Sequence, residues 1–217
     1  MWLPGHLSVS FLLCLPLLVQ LRRQRLLAIY YVGLFALLPD FIHLGPLRMY
    51  SHSILGVAIM LIITLGALFI SFRPHPLLLV SGAVAAYGHL LADLYIGSIY
   101  PFHPFSEEWF QLHQFNSLFN IRVEIVLSSI ALVILALAFG FSRLYRSRRE
   151  LTRSERINLL LILLPFLVMV MLQGAYYLFM MMQNPWDPLR TVLLLFFLIP
   201  LVFSVALLIG EPSLHGY

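Results

Sequence analysis

Lysine is absent from this chain of 217 residues, cysteine occurs once, and charged side chains make up only 10% of it. A soluble domain carries about a quarter charged residues, so a water-facing globule is excluded. The lone Cys14 cannot form an internal disulfide and gives no information about redox compartment. There is no His-Glu-x-x-His metalloprotease helix and no Gly-x-Ser-x-Gly nucleophile turn, which sets aside two common hydrolase types. No internal repeat, low-complexity tract or separate soluble domain is visible either. What is present is apolar surface: 61% of the residues are hydrophobic. No single soluble core hides that much, so lipid must solvate most of it. The basic excess is entirely arginine. Because it gathers in short loops, it points to topology and lipid headgroups and not to nucleic acid.

Seven apolar segments run roughly over 5–21, 26–41, 52–72, 77–97, 121–142, 157–182 and 189–210, most of them close to the ~20 residues that span a bilayer. The expected fold is therefore all-α, a polytopic helical bundle forming one integral membrane domain over 1–217. The first two segments are short and suit either a thinned region or a hairpin buried against the other helices. Segment one is not a signal peptide: it lacks a basic leader, and Arg22, Arg23 and Arg25 follow it. With strict alternation, those three, Arg73 and the arginines of 143–156 share one side, leaving Arg48, Arg122 and Arg190 on the other. The positive-inside rule then puts the N-terminus outside and the C-terminus inside. The longest polar connection, about 98–120, is expected to be an ordered cap over the outer helix ends.

The informative residues are ionisable groups at the ends of apolar segments. His6 opens segment one, Pro39-Asp40 closes segment two with His43 after it, and Ser51-His52-Ser53 opens segment three. Segment four holds His89 and Asp93 at i and i+4, hence on one helical face. All fall at the same membrane end. His6 precedes the turn near Gln24, and Asp40 follows it, by nearly equal lengths of chain. At about 1.5 Å per residue they differ by only about 3 Å in height. Gly82, Ala83, Ala85, Ala86, Gly88 and Ala92 make segment four thin, so neighbouring helices can approach it closely.

Imidazole and carboxylate are good ligands for a divalent ion, zinc above all. A single His at a helix end ordinarily just hydrogen-bonds a carbonyl. A set of ionisable groups in apolar segments is expensive and is expected to be paired or functional. The expected ligands are His6, Asp40, His52, His89 and Asp93, holding one or two ions. His43, His103 and His113 lie on the same side in looser contexts, while His75 and His215 lie on the other and read as incidental.

The order of these elements resembles the bacterial and archaeal family described as inner-membrane-bound, metal-dependent hydrolases, the YdjM-like proteins. The stretches that carry the likeness are Gly5-His6, Leu38-Pro39-Asp40, Arg48-Met49-Tyr50-Ser51-His52-Ser53, His89-Leu90-Leu91-Ala92-Asp93 and Tyr100-Pro101-Phe102. They cover about residues 5–105; segments five to seven match only as generic membrane helices. The chain departs from the family pattern at Ile42, where a second Asp is common, at Leu47, where a His often precedes the Arg, and at Ser51 in place of Thr. The ligand order is also similar to that of zinc-dependent phospholipases C and related nucleases. That likeness implies His52, His89 and Asp93 on one metal, with His6 and Asp40 helping to hold another.

Together these features lead to the expectation of a metal-dependent hydrolase in a bacterial or archaeal inner membrane. Its substrate would be a membrane lipid or lipid-linked phosphoester at the extracytoplasmic face, with no nucleic-acid partner. Arg48 is the candidate phosphate clamp, since guanidinium grips phosphate in a bidentate way, and Arg122 is a weaker one. Glu124 is a candidate ligand or general base, with partnership to Arg122 as its plainer role. Hydrolysis of a lipid amide, as in alkaline ceramidases, fits helix number and ligand type less closely. A metal-ion or proton transporter is the rival class, but the polar groups gather at one face and no inverted repeat is visible. A metal that only clamps helix ends is the third reading. Topology is testable by cysteine-accessibility labelling: positions in 98–120 should label from outside and positions in 143–156 from inside. Outside labelling of the arginine-rich connection would reverse the orientation.

Overall fold

The computed structural model describes residues 1–21, 24–42, 45–72, 74–115, 117–140, 144, 151–182 and 188–209. His43, His215 and most of the arginine-rich connection lie outside them. The elements are α1 (Leu3–Gln20), α2 (Arg25–Ala36), a 3-10 turn (Leu38–Ile42), α3 (Leu47–Ser51), α4 (Ile54–Phe72), α5 (Pro76–Tyr95), α6 (Leu118–Phe139), α7 (Arg153–Met182) and α8 (Pro188–Ile209). Among the described residues there is no strand, only isolated bridges within the connection after α5. Six helical stretches are long and apolar enough to cross a membrane, and α4 is a shorter apolar helix. The chain is an all-α polytopic membrane bundle, as its composition requires.

Local chemistry sets the helix boundaries. Proline stands in the first turns of α1 and α5, where a missing N–H costs nothing. His75 caps α5 by accepting from Leu77 N at 3.2 Å. This gives the residue read as incidental a structural task. Ser117 caps α6 through Asn120 N, and Gly140 ends it at φ 62. α7 begins four residues earlier than its apolar run. Thr152 and Glu155 form a reciprocal capping box: Thr152 N donates to Glu155 Oε2 at 2.8 Å, and Glu155 N to Thr152 Oγ1 at 3.3 Å. The short α3 was not foreseen; it lies in what read as a loop and carries Arg48.

The two shortest predicted spans form the centre of the bundle. α1 packs against α2, α5 and α6, and α2 packs against α5 and α7. α4 is peripheral, and Ile62, Ile63 and Ile70 on it are among the most exposed large apolar side chains, as lipid-facing positions should be. The thin face of α5 does what its composition suggested. A Cβ added at Gly82 would come within 2.8 Å of Tyr31 Cε1, and one at Gly88 within 3.1 Å of Leu13 Cδ1. Ser10 Oγ donates to Ala85 O at 3.0 Å, which ties α1 to α5 across that close approach.

The connection after α5 is an ordered cap. Ile99 and Phe110 exchange backbone hydrogen bonds at 3.1 and 2.9 Å, and Leu112 N and His113 N donate to Leu94 O and Tyr95 O. Pro101 O accepts from Ile54 N, and Tyr100 N donates to His52 O at 3.0 Å. The cap therefore grips the start of α4. Gly82→Val should destabilise the bundle by about 1–3 kcal/mol through overpacking, read as a lower thermal midpoint in detergent. An unchanged midpoint would show that Tyr31 and Phe35 yield freely.

Candidate metal centre

Four helical elements deliver five ligand side chains to one point at one end of the bundle. His6 comes from the first turns of α1, Asp40 from the 3-10 turn, His52 from the residue capping α3, and His89 and Asp93 from one face of α5. His6, His52, His89 and Asp93 are buried, at 1%, 0%, 0% and 3% exposure.

The spacing is one that could hold a metal ion. His52 Nε2 lies 3.4 Å from Asp40 Oδ1 and 3.2 Å from Asp93 Oδ2. His89 Nε2 lies 3.6 Å from Asp40 Oδ1, 3.5 Å from Asp93 Oδ2 and 3.4 Å from His52 Nε2. Each separation is close to the ~3.35 Å expected between ligands about 2.05 Å from a shared zinc, and Asp40, His52 and His89 form one group that could hold an ion. Asp40 thus groups with His52 and His89, and Asp93 with His6 and His89, whereas the likeness to phospholipases C had put Asp93 with His52 and His89 and paired Asp40 with His6.

Proton placement supports the same conclusion. His89 Nδ1 lies 2.7 Å from Ala36 O, and a carbonyl only accepts, so Nδ1 carries the hydrogen. In the neutral ring Nε2 then presents its lone pair to the centre. Ser51 Oγ lies within 3.3 Å of two carbonyls, those of Ile42 and Arg48, and 2.8 Å from His52 Nδ1. The hydroxyl donates to a carbonyl and accepts from Nδ1–H, which leaves His52 Nε2 as a second inward lone pair. Fixing the far nitrogen of a ligand imidazole is the usual support of a metal site.

His6 stands on the other side of Asp93. Its Nε2 is 3.3 Å from Asp93 Oδ1, and its ring stacks on that of His89 at 3.7 Å. His6, His89 and Asp93 make a second group able to hold an ion, sharing His89 with the first. His6 Nδ1 is buried with no hydrogen-bond partner, so this ring is less firmly oriented than the other two. The Met1 α-amine also reaches Asp93 Oδ1, at 2.6 Å. Gly97 lies against the same carboxylate with φ +154, and a Cβ there would come within 2.8 Å of Asp93 Oδ1.

A cavity of about 740 Å³ adjoins the centre and is lined by His6, Asp40 and Asp93 together with Arg48, Gln111 and Gln173. Arg48 donates from its two terminal nitrogens to Ser98 Oγ and O at 3.0 and 3.2 Å, and its Nε is buried without a partner. Glu124 is buried at 1%, and its two oxygens each lie 3.1 Å from Trp2 N. Arg122 is exposed on α6, so the partner of Glu124 is the Trp2 backbone and not this arginine. His103 packs edge-on against Tyr50, and His113 against Tyr95 and Phe119. Neither belongs to the metal-competent groups found among the described residues. Gln173 of α7 was not foreseen. It donates to Asp40 Oδ2 at 2.6 Å from a helix whose sequence reads as generic.

Compared with known proteins, the chain matches no family model, no curated protein and no solved structure. The site itself carries the argument. Elemental analysis of purified protein should find zinc retained by wild type, by His103→Ala and by His113→Ala, and largely lost from Asp93→Asn and His52→Ala. Equal loss in all four variants would contradict the ligand assignment.

Proposed function

We propose that this integral membrane protein is a metal-dependent hydrolase acting on a phosphoester of a lipid or lipid-linked substrate. The observation that carries this reading is the shared wall: Asp40, Asp93 and His6 face the same cavity as Arg48. Ligands that only clamped helices together would have no need of a cavity, nor of a guanidinium in it. A divalent ion would supply Lewis acidity there, lowering the pKa of a nearby water and offsetting charge on phosphoryl oxygens. His52, His89, Asp40 and Asp93 would hold it, with His6 available to a second ion through the other oxygen of Asp93. Arg48, steadied by Ser98, would receive the phosphate, its unpartnered Nε directed to that task. The site lies at the end of an apolar bundle, so a lipid headgroup can reach it without leaving the membrane. The arginine asymmetry supports placing that end at the extracytoplasmic face of an inner membrane, and the motif order shared with the YdjM-like proteins supports the hydrolase class.

A second reading has its own support. Were Asp93 to join Asp40, His52 and His89 on one ion, four protein ligands would close a zinc site, and a closed site is structural. A transporter fits less well. At the far end Leu18, Leu26, Leu27 and Leu78 belong to one apolar core, and no chain of ionisable groups continues through it among the described residues.

Zinc-loaded protein in proteoliposomes, offered phospholipids and lipid phosphates, should release phosphate or a phosphorylated headgroup. Asp93→Asn should abolish release. Arg48→Lys should keep its zinc and lose about tenfold or more in turnover, because lysine keeps the charge and loses the fork. Zinc bound without turnover of any lipid would favour the structural clamp, and ion flux without lipid consumption would favour transport.

A further inference from the structure

A ligand carboxylate needs its idle oxygen held, and in this bundle that oxygen belongs to Asp40. Asp40 sits in a short 3-10 turn and not on a long helix. Its Oδ1 faces His52 and His89, while Oδ2 accepts the 2.6 Å hydrogen bond from Gln173 Nε2. A carboxylate accepts only, so the amide nitrogen of Gln173 is the end that must face it.

The placement of Gln173 is not incidental. Phe166, Val170 and Tyr177 are 3%, 1% and 2% exposed and stand four, three and four residues apart with Gln173 between them. Gln173 therefore lies on the buried stripe of α7, where an apolar side chain would be expected. A carboxamide in that position within a membrane is costly unless a specific partner satisfies it, and Asp40 is that partner. The donor is also neutral. A lysine or arginine would answer the same carboxylate with a full positive charge and compete with a dication, whereas an amide orients it and leaves its charge available.

We infer that Gln173 is a positioning residue that fixes Asp40 as a monodentate ligand through Oδ1, and that it makes α7 part of the metal centre. This inference rests on the metal reading above. It extends the site from the first half of the chain into the second, whose sequence carries no recognisable motif. It also gives the bundle a polar tie between α7 and the 3-10 turn at the wall of the cavity.

The test is zinc affinity by chelator competition, together with the visible spectrum of the cobalt-substituted protein, for wild type, Gln173→Met, Asp40→Asn and the double variant. Methionine keeps the length and removes the donor. Zinc affinity should fall about 10–100-fold in Gln173→Met. The cobalt spectrum should change as one carboxylate loosens, and the double variant should bind no more weakly than Asp40→Asn alone. Should Gln173→Met fail to assemble, Gln173→Asn carries the same test, since its amide stops one methylene short of Asp40. Wild-type affinity and spectrum in these variants would overturn the inference while leaving the metal site standing. Losses that add in the double variant would overturn it too, because Gln173 would then act independently of Asp40. Absence of zinc and cobalt binding by wild type would remove the metal reading itself.

Discussion

Two carboxylates and three imidazoles converge at one point inside an apolar bundle, where ionisable groups must be paired or hold a metal ion, and the Met1 α-amine pairs with Asp93 at 2.6 Å. That constraint organises this protein. His52 Nε2 and His89 Nε2 stand 3.2–3.6 Å from each other and from Asp40 Oδ1 and Asp93 Oδ2. Two of these groups are locked in that orientation from behind, by Ala36 O and by Ser51 Oγ. Charged groups away from water are tolerated when paired or when they ligate metal, and the spacing here fits the second case.

The surrounding structure serves that point. α1 and α2 are brought against α5 by its small residues, which lets His6 and Ala36 reach His89. The connection after α5 folds back to donate Tyr100 N to His52 O, so the Tyr-Pro-Phe stretch helps hold His52 in place. The unforeseen α3 aims Arg48 into the cavity beside the carboxylates. Polar groups thus converge at one end while the rest of the bundle is packed by apolar side chains, an arrangement suited to chemistry at a membrane surface and poorly suited to conduction.

Much of this was legible in residues. Hydrophobic runs foretold the seven apolar helices, although segments one and two, read as short, reach spanning length and segment three is the shorter helix; the i, i+4 pair foretold that His89 and Asp93 share a face. What was hidden depended on tertiary contact or on short signals. The Thr152–Glu155 capping box lies within charged sequence that reads as loop, so α7 came out short. Arg48 read as a loop residue because α3 is barely more than one turn long. Glu124 seemed a partner for Arg122 because the two are neighbours on one helix, whereas the Trp2 amide that it accepts from lies far away in sequence. Gln173 carried a readable signal, a lone amide on the apolar stripe of α7, but its partner on the 3-10 turn could be seen only in three dimensions.

The central claim is that these side chains bind one ion in their shared centre. X-ray absorption at the zinc edge, on protein loaded with one equivalent of zinc, tests it most directly. Nitrogen and oxygen neighbours at about 2.0–2.1 Å are expected, with the outer-shell scattering of two or more imidazoles. A spectrum of fully hydrated zinc, or a first shell without imidazole scattering, would contradict it.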